Sequence, residues 1–276
     1  MDPLGSLQRI IRRAPLVSVI RLHGTIGAGG RLGGGLNDHA LAPVIERAFR
    51  RGAPAAVALS VNSPGGSPVQ SALISARIRR LAEETGIPVF AFCEDVAASG
   101  GYWLASAADE IWADASSIIG SIGVISAGFG LHEAIGRLGI ERRLHVAGED
   151  KALLDPFRPE RARDVARLER ILKGIHAEFI AHVRARRGAR LSGGDLFTGE
   201  IWLGAEAVDN GLIDGIGHLV PKMRERYGAR VRFAVVEPRR PLLRRLGMAG
   251  AGLGAGFGAG LADSLEERAL WARYGL

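Results

Sequence analysis

The chain has 276 residues, 47% of them hydrophobic and 24% charged, enough for one large α/β domain or two small ones. Its net charge of +7 comes from arginines spread over most segments with few aromatics among them. That pattern argues against a nucleic-acid partner and for a basic surface facing water or anionic lipid. The single cysteine, Cys93, excludes an intramolecular disulfide and falls in an apolar run, the setting of a buried thiol.

In chain order, Leu4, Leu7, Ile10 and Ile11 recur at helical spacing beside Arg9, Arg12 and Arg13. This N-terminal segment, 1–13, fits a short interfacial helix making peripheral membrane contact, or one packed on its own domain or a neighbouring subunit. The same arginines interrupt the uncharged stretch a signal peptide needs. Leu16 to Leu22, Ala55 to Val61, Ile87 to Cys93 and Glu110 to Ala113 are short apolar runs, as buried strands are. Gly27 to Gly35 reads as a flexible loop. Leu32 stands where a dinucleotide fingerprint needs its last glycine, and no Gly-Lys-Ser/Thr closes a phosphate loop. Asp38 to Arg51 and Val69 to Glu84 have helical periodicity, with Asn37 or Asp38 capping the first and Ser67-Pro68 opening the second. Thr85-Gly86-Ile87-Pro88 stops that helix and opens the next strand.

This β-α-β-α order implies an α/β fold with a largely parallel sheet flanked by helices. A long charged amphipathic helix follows from Pro159 to Arg187, then a loop over Gly188 to Gly199. A short strand and helix fit Ile201 to Asp214, and another helix Pro221 to Tyr227. One domain of residues 14–240 accommodates these elements. Leu246 to Ala262 is uncharged but only 17 residues long, with glycine at nearly every second position from 250 onward. It is short for a spanning helix and weakened by its glycines, so 241–276 reads as a Gly/Ala-rich tail. The expected location is cytoplasmic or peripheral to a membrane.

The chemistry concentrates at two glycine motifs that follow strands, where open α/β sheets bind ligands. One is Ala97-Ala98-Ser99-Gly100-Gly101-Tyr102; the other is Asn62-Ser63-Pro64-Gly65-Gly66. A serine needs a base, amide donors for an oxyanion and bare backbone around it to become an acyl-transfer catalyst. Ser99 to Ala108 reads as a helix whose N-terminal dipole faces that serine, and the backbone amides of Gly66 and Gly100 are the expected donors. No histidine lies near Ser99 in sequence, which draws attention to Lys151, one of only three lysines. Arginine cannot replace it as a base. The seven histidines give no HExxH and no i, i+4 pair, so neither a metal nor a cofactor is expected. Gly-x-Ser-x-Gly is absent around Ser99.

Four motifs then carry a family resemblance. Ser60-Val61-Asn62-Ser63-Pro64-Gly65-Gly66, Ala98-Ser99-Gly100-Gly101-Tyr102-Trp103-Leu104-Ala105, Ala108-Asp109-Glu110-Ile111 and Gly120-Ser121-Ile122-Gly123-Val124 stand in the order of the signal peptide peptidase A (SppA, SohB-like) serine peptidases. The chain resembles that family over roughly residues 15 to 225. The resemblance implies a ClpP/crotonase-type fold and a Ser/Lys dyad cleaving signal-peptide remnants or small apolar peptide segments. It places the nucleophile on Ser99, the base on Lys151 and the lysine-orienting serine on Ser121. It also implies a homo-oligomer in which serine and lysine can come from adjacent subunits. Asp150 and Glu149 beside Lys151 are expected to face away from it. A Ser/His/Asp peptidase would instead need His132 or His145, and a crotonase-like acyl-CoA enzyme or a scaffold would use the fold without a nucleophile.

Overall fold

Three long strands lie at the centre, β1 (Leu16–His23), β2 (Ala56–Ser63) and β3 (Val89–Ala98). They arise from the apolar runs because a strand covered on both faces has no polar side to alternate with. The architecture is that of a computed structural model describing residues 14–27, 35–148, 150–237 and 268–275. Segment 1–13, residues 28–34 of the glycine loop and residues 241–267 of the tail lie outside those described residues.

β1 and β2 pair in parallel from Val17↔Ala56 to His23↔Asn62, and β2 and β3 from Val57↔Val89 onward. Helices α1 (Asp38–Arg50) and α2 (Pro68–Thr85) make the crossovers. The Asn37 side chain caps α1 by accepting from the Ala40 amide, Ser67 does the same for Gln70 in α2, and Gly86 closes α2 at φ +66°. Arg77 of α2 grips Asp38 through two hydrogen bonds of 2.7 Å, and these hold the Asp38 carboxyl below its ordinary range.

β3 changes neighbour halfway. Phe90 to Cys93 pairs with β4 (Glu110–Ala113), whereas Val96 to Ala98 pairs with β5 (Ile118–Gly120). The register with β2 shifts at the same place, between Val61 and Ser63. The sequence predicts a strand ending at Cys93, because Glu94 and Asp95 interrupt the apolar run. Both acids are exposed at the register shift, and the strand resumes with buried Val96, Ala97 and Ala98. Similarly, β2 reaches Ser63 rather than Val61. The helix expected over Ser99 to Ala108 is the shorter α3 (Gly100–Ala105), since the amides of Ala107 and Ala108 turn to the carbonyls three residues back.

Beyond β5 the chain makes a long excursion containing α4 (His132–Arg137), then forms α5 (Ala162–Arg187), β6 (Ile201–Leu203), α6 (Gly204–Asp209), β7 (Gly215–Ile216), α7 (Leu219–Tyr227) and β8 (Arg232–Val235). The main sheet order is β6-β5-β3-β2-β1-β8, with β4 beside β3 and β7 beside β4. Among the described residues, only the β5–β6 pair is antiparallel. α4, β5, β7 and β8 are too short to show a period in sequence.

On β2, Val57, Leu59 and Val61 face the larger core with Ile45 of α1, Ile78 of α2 and Leu104 of α3. Ala56 and Ala58 face a second core with Phe90, Phe92 and Met223 of α7. Cys93 is buried as expected, and burial pushes its thiol up to about 12, which leaves it inert at neutral pH. Among the described residues, no helix is long and apolar enough to cross a membrane.

Candidate active site

Ser99 follows the last residue of β3 and immediately precedes α3, at φ +53° and ψ −124°. A non-glycine residue in that region is strained by about 1–3 kcal/mol and persists only where its neighbours fix it. Here they do. The Ser99 amide donates to the Gly120 carbonyl at 2.8 Å, and the Ser99 carbonyl accepts from the Trp103 amide at 3.0 Å. The hydroxyl makes no capping bond to the helix, so it is left for other chemistry. α3 is anchored in turn: the buried Tyr102 hydroxyl donates to the Leu212 carbonyl at 2.7 Å, and Trp103 stacks on Phe179 and His182 of α5.

The Pro64-Gly65-Gly66 turn packs directly on this serine. A Cβ at Gly65 would fall 2.8 Å from both the Gly100 nitrogen and Ser99 Cβ. The turn is tied to Ile26, whose amide donates to the Gly65 carbonyl and whose carbonyl accepts from the Ser67 amide. In such a parallel bridge the amide of the middle residue, Gly66, is turned away from Ile26. Among the described residues, the amides of Gly66 and Gly100 have no acceptor. Two such donors beside a serine hydroxyl are what a developing oxyanion requires.

Ser121 lies on the other side of β3. β5 pairs Gly120 with Ala98, and Ser121 follows at φ +52°, buried, its amide donating to the Glu200 carbonyl at 2.7 Å. His176 of α5 binds the next carbonyl, that of Ile122, at 3.0 Å. A carbonyl can only accept, so that ring nitrogen carries a proton and is not a base for Ser99. His176 has no sequence signal beyond its place in an amphipathic helix.

Gly66, Ser99, Gly100 and Ser121 are thus brought to one end of the sheet, whereas Lys151 is not bonded to them. It is exposed on the excursion between Gly123 and Arg161, and its ammonium has no hydrogen bond or ion pair among the described residues. Asp150 turns to α5, where Arg167 at 2.6 Å and Arg163 at 3.8 Å engage its carboxylate. The bond from Arg167 holds that carboxyl below its ordinary range. Glu149 lies outside the described residues. The same excursion exposes Phe129 (86%), Leu138 (73%) and Ile125 (65%), and carries His132 and His145. A cavity of about 480 Å³ under α7, lined by Ser60, Phe92, Glu94 and Asp114 among others, includes none of the predicted site residues. Among the described residues, no group of three metal-capable side chains converges.

The family model for Peptidase family S49 matches residues 82–225. The Na⁺/H⁺ antiporter NhaA of Brucella melitensis is 47% identical over 288 aligned residues, which cover 99% of this chain and 39% of the antiporter. Protease 4 of Haemophilus influenzae is 31% identical over 204 residues, 73% of this chain and 32% of the protease. The chloroplastic serine protease SPPA of Arabidopsis thaliana is 31% identical over 195 residues, 67% of this chain and 28% of that protein. The chain therefore spans well under half the length of these relatives. Among solved structures, a membrane-bound stomatin-specific protease has a TM-score of 0.49 at 13% identity, covering 82% of this chain and 100% of that one. The largely parallel, helix-flanked sheet and the family match together fit a ClpP/crotonase-like fold.

Proposed function

Because the chain belongs to peptidase family S49, we propose that it is a serine endopeptidase in which Ser99 is the nucleophile and Lys151 the general base. The observation that carries this reading is the serine held at φ +53° at the start of α3, with the Gly65-Gly66 turn against it and two amides that lack acceptors among the described residues. Neutral Lys151 takes the Ser99 proton as Oγ attacks the scissile carbonyl, and the Gly66 and Gly100 amides hold the resulting oxyanion. The lysine then protonates the leaving amine, and water cleaves the acyl-enzyme by the same route. Ser121 orients the lysine amine.

The substrates proposed are signal-peptide remnants or other small apolar peptide segments. The Brucella relative named as an antiporter is matched over 39% of its length, and its named activity is not carried over to this chain.

Lys151 is further proposed to serve the Ser99 of a neighbouring copy. Two observations support this: among the described residues the Lys151 ammonium makes no hydrogen bond or ion pair, and its excursion exposes Ile125, Phe129 and Leu138. A second copy laid on those side chains would bury them and exclude water from the lysine. The test is hydrolysis of a fluorogenic apolar peptide by wild type, Ser99→Ala, Lys151→Ala and a mixture of the two variants. Each variant alone should lose at least about 10³-fold in kcat. Random assembly of the mixture should restore about a quarter of wild-type activity, because each site needs its serine from one variant and its lysine from the other. Full activity in Ser99→Ala would overturn the whole reading; an inactive mixture of intact oligomers would confine the lysine to its own chain.

A further inference from the structure

Asn62 opens the Asn62-Ser63-Pro64-Gly65-Gly66 motif, and the proposed chemistry leaves it without a task. It stands opposite the break in β3. From Val61↔Cys93 to Ser63↔Ala97, β2 advances by one intervening residue and β3 by three, Glu94, Asp95 and Val96. The extra residues lose their ladder partners, and a buried or half-buried amide must find another. Asn62 provides it. Its Oδ1 accepts from the Val96 amide at 3.1 Å, and its Nδ2 donates to Asp95 Oδ2 at 2.7 Å. On the same bend, Ser60 Oγ donates to Glu94 Oε1 at 2.5 Å, and Ser117 Oγ donates to the Glu94 carbonyl at 2.5 Å. This bend is where β3 leaves β4 and joins β5, and only Val96, Ala97 and Ala98 separate it from Ser99.

We infer that Asn62 is a positioning residue for Ser99, acting through β3: its carboxamide sets the bend that aims the end of the strand, and Asp95 completes the clamp. The inference rests on the reading of Ser99 as nucleophile. Shifting a reacting atom by about 1 Å costs about 10²-fold in rate, and a three-residue strand end transmits a change in the bend to Ser99 with little slack.

The chemistry of the pair supplies its own control. Asn62→Asp keeps an oxygen for the Val96 amide but sets a carboxylate against Asp95, whereas adding Asp95→Asn returns a donor and rebuilds the clamp with its roles reversed. In the full chain, Asn62→Asp should lower kcat for the apolar peptide about 30- to 100-fold with KM changed less than about threefold. The double variant should return kcat to within about threefold of wild type. Hydrogen exchange over 94–104 should quicken in the single variant and slow again in the double one, a readout independent of activity. Asp95→Ala, at an exposed position, covers the case in which Asn62→Asp does not fold, and should cost about five- to tenfold in kcat. Wild-type kcat and exchange in Asn62→Asp or Asp95→Ala, or no recovery in the double variant, overturns the inference. Ser99→Ala assayed alongside separates the two failures, since activity surviving there removes the premise, not the clamp, which the exchange data then decide.

Discussion

Gly66→Ala tests the idea that the glycine turn has been pressed against its neighbours to present an amide. Gly66 sits at φ +139°, and a Cβ there would fall 2.0 Å from the Ile26 carbonyl oxygen and 2.9 Å from its carbon. Both atoms are backbone, so no side chain can swing aside. Accommodation requires the turn to leave Ile26, breaking the 2.8 Å bond from Ile26 to Gly65 and the 2.7 Å bond from Ser67 to Ile26. Two backbone hydrogen bonds at about 1 kcal/mol each and a disfavoured backbone region at about 1–3 kcal/mol give a loss of about 3–5 kcal/mol. In a domain of this size that lowers the melting temperature by about 10 °C. Displacing one oxyanion donor should also lower kcat by about 10²–10³-fold. The control is Gly228→Ala, at φ +89° with nothing within 4 Å of the new Cβ, which should lose only about 1–2 kcal/mol and keep wild-type kcat. Melting curves and peptide hydrolysis of the two variants decide the matter. Gly66→Ala with wild-type kcat and a melting temperature matching that of Gly228→Ala would refute the reasoning.

Two further outcomes follow from the packing around α5. Burial, reinforced by Arg186, lowers His182 from 6.5 to about 4, so the folded state holds it neutral while the unfolded chain takes up a proton first. Its stabilising contribution is complete above about pH 6.5 and is lost as pH falls through about 4, amounting to about 3 kcal/mol. Urea midpoints at pH 7.5 and 4.5 should therefore diverge more for wild type than for His182→Gln; equal slopes would contradict the assignment. Arg187, 3% exposed, binds Asp214 at 2.7 Å and the Gly211 carbonyl at 2.9 Å. Arg187→Ala leaves that carboxylate to the Ile111 amide at 2.7 Å and to Arg190 at 3.5 Å, and should cost about 2–3 kcal/mol in urea unfolding, a change under 1 kcal/mol being the contrary result.

How much was legible in sequence follows from the range of each interaction. The three central strands and the two crossover helices announce themselves, because burial on both faces and helical periodicity are local patterns. Ser99, Gly66 and Gly100 are equally visible, since bare backbone near a serine can be read from composition alone. What hides the last part of β3 is a pair of charges, Glu94 and Asp95, that lie exposed at a register shift. Only contacts from β2 and β5 reveal that the strand goes on to deliver Ser99 directly. Ser121 is legible as part of a family motif but not as a neighbour of Ser99, because the β5 pairing that brings Gly120 to Ala98 involves three residues. The role of Asn62 depends on a side chain reaching a strand more than thirty residues away, which no periodicity encodes. Lys151 is different in kind. Its own chain leaves it exposed, so its role as base rests on the family resemblance and stands as a proposal.

The claim that Ser99 forms the acyl-enzyme is tested most directly by intact-mass measurement after reaction with a slowly deacylating peptide ester. Wild type should gain one acyl group per chain, mapped by peptide digestion to the segment containing Ser99, and Ser99→Ala should gain none. An adduct on another residue, or undiminished labelling of Ser99→Ala, would contradict the account.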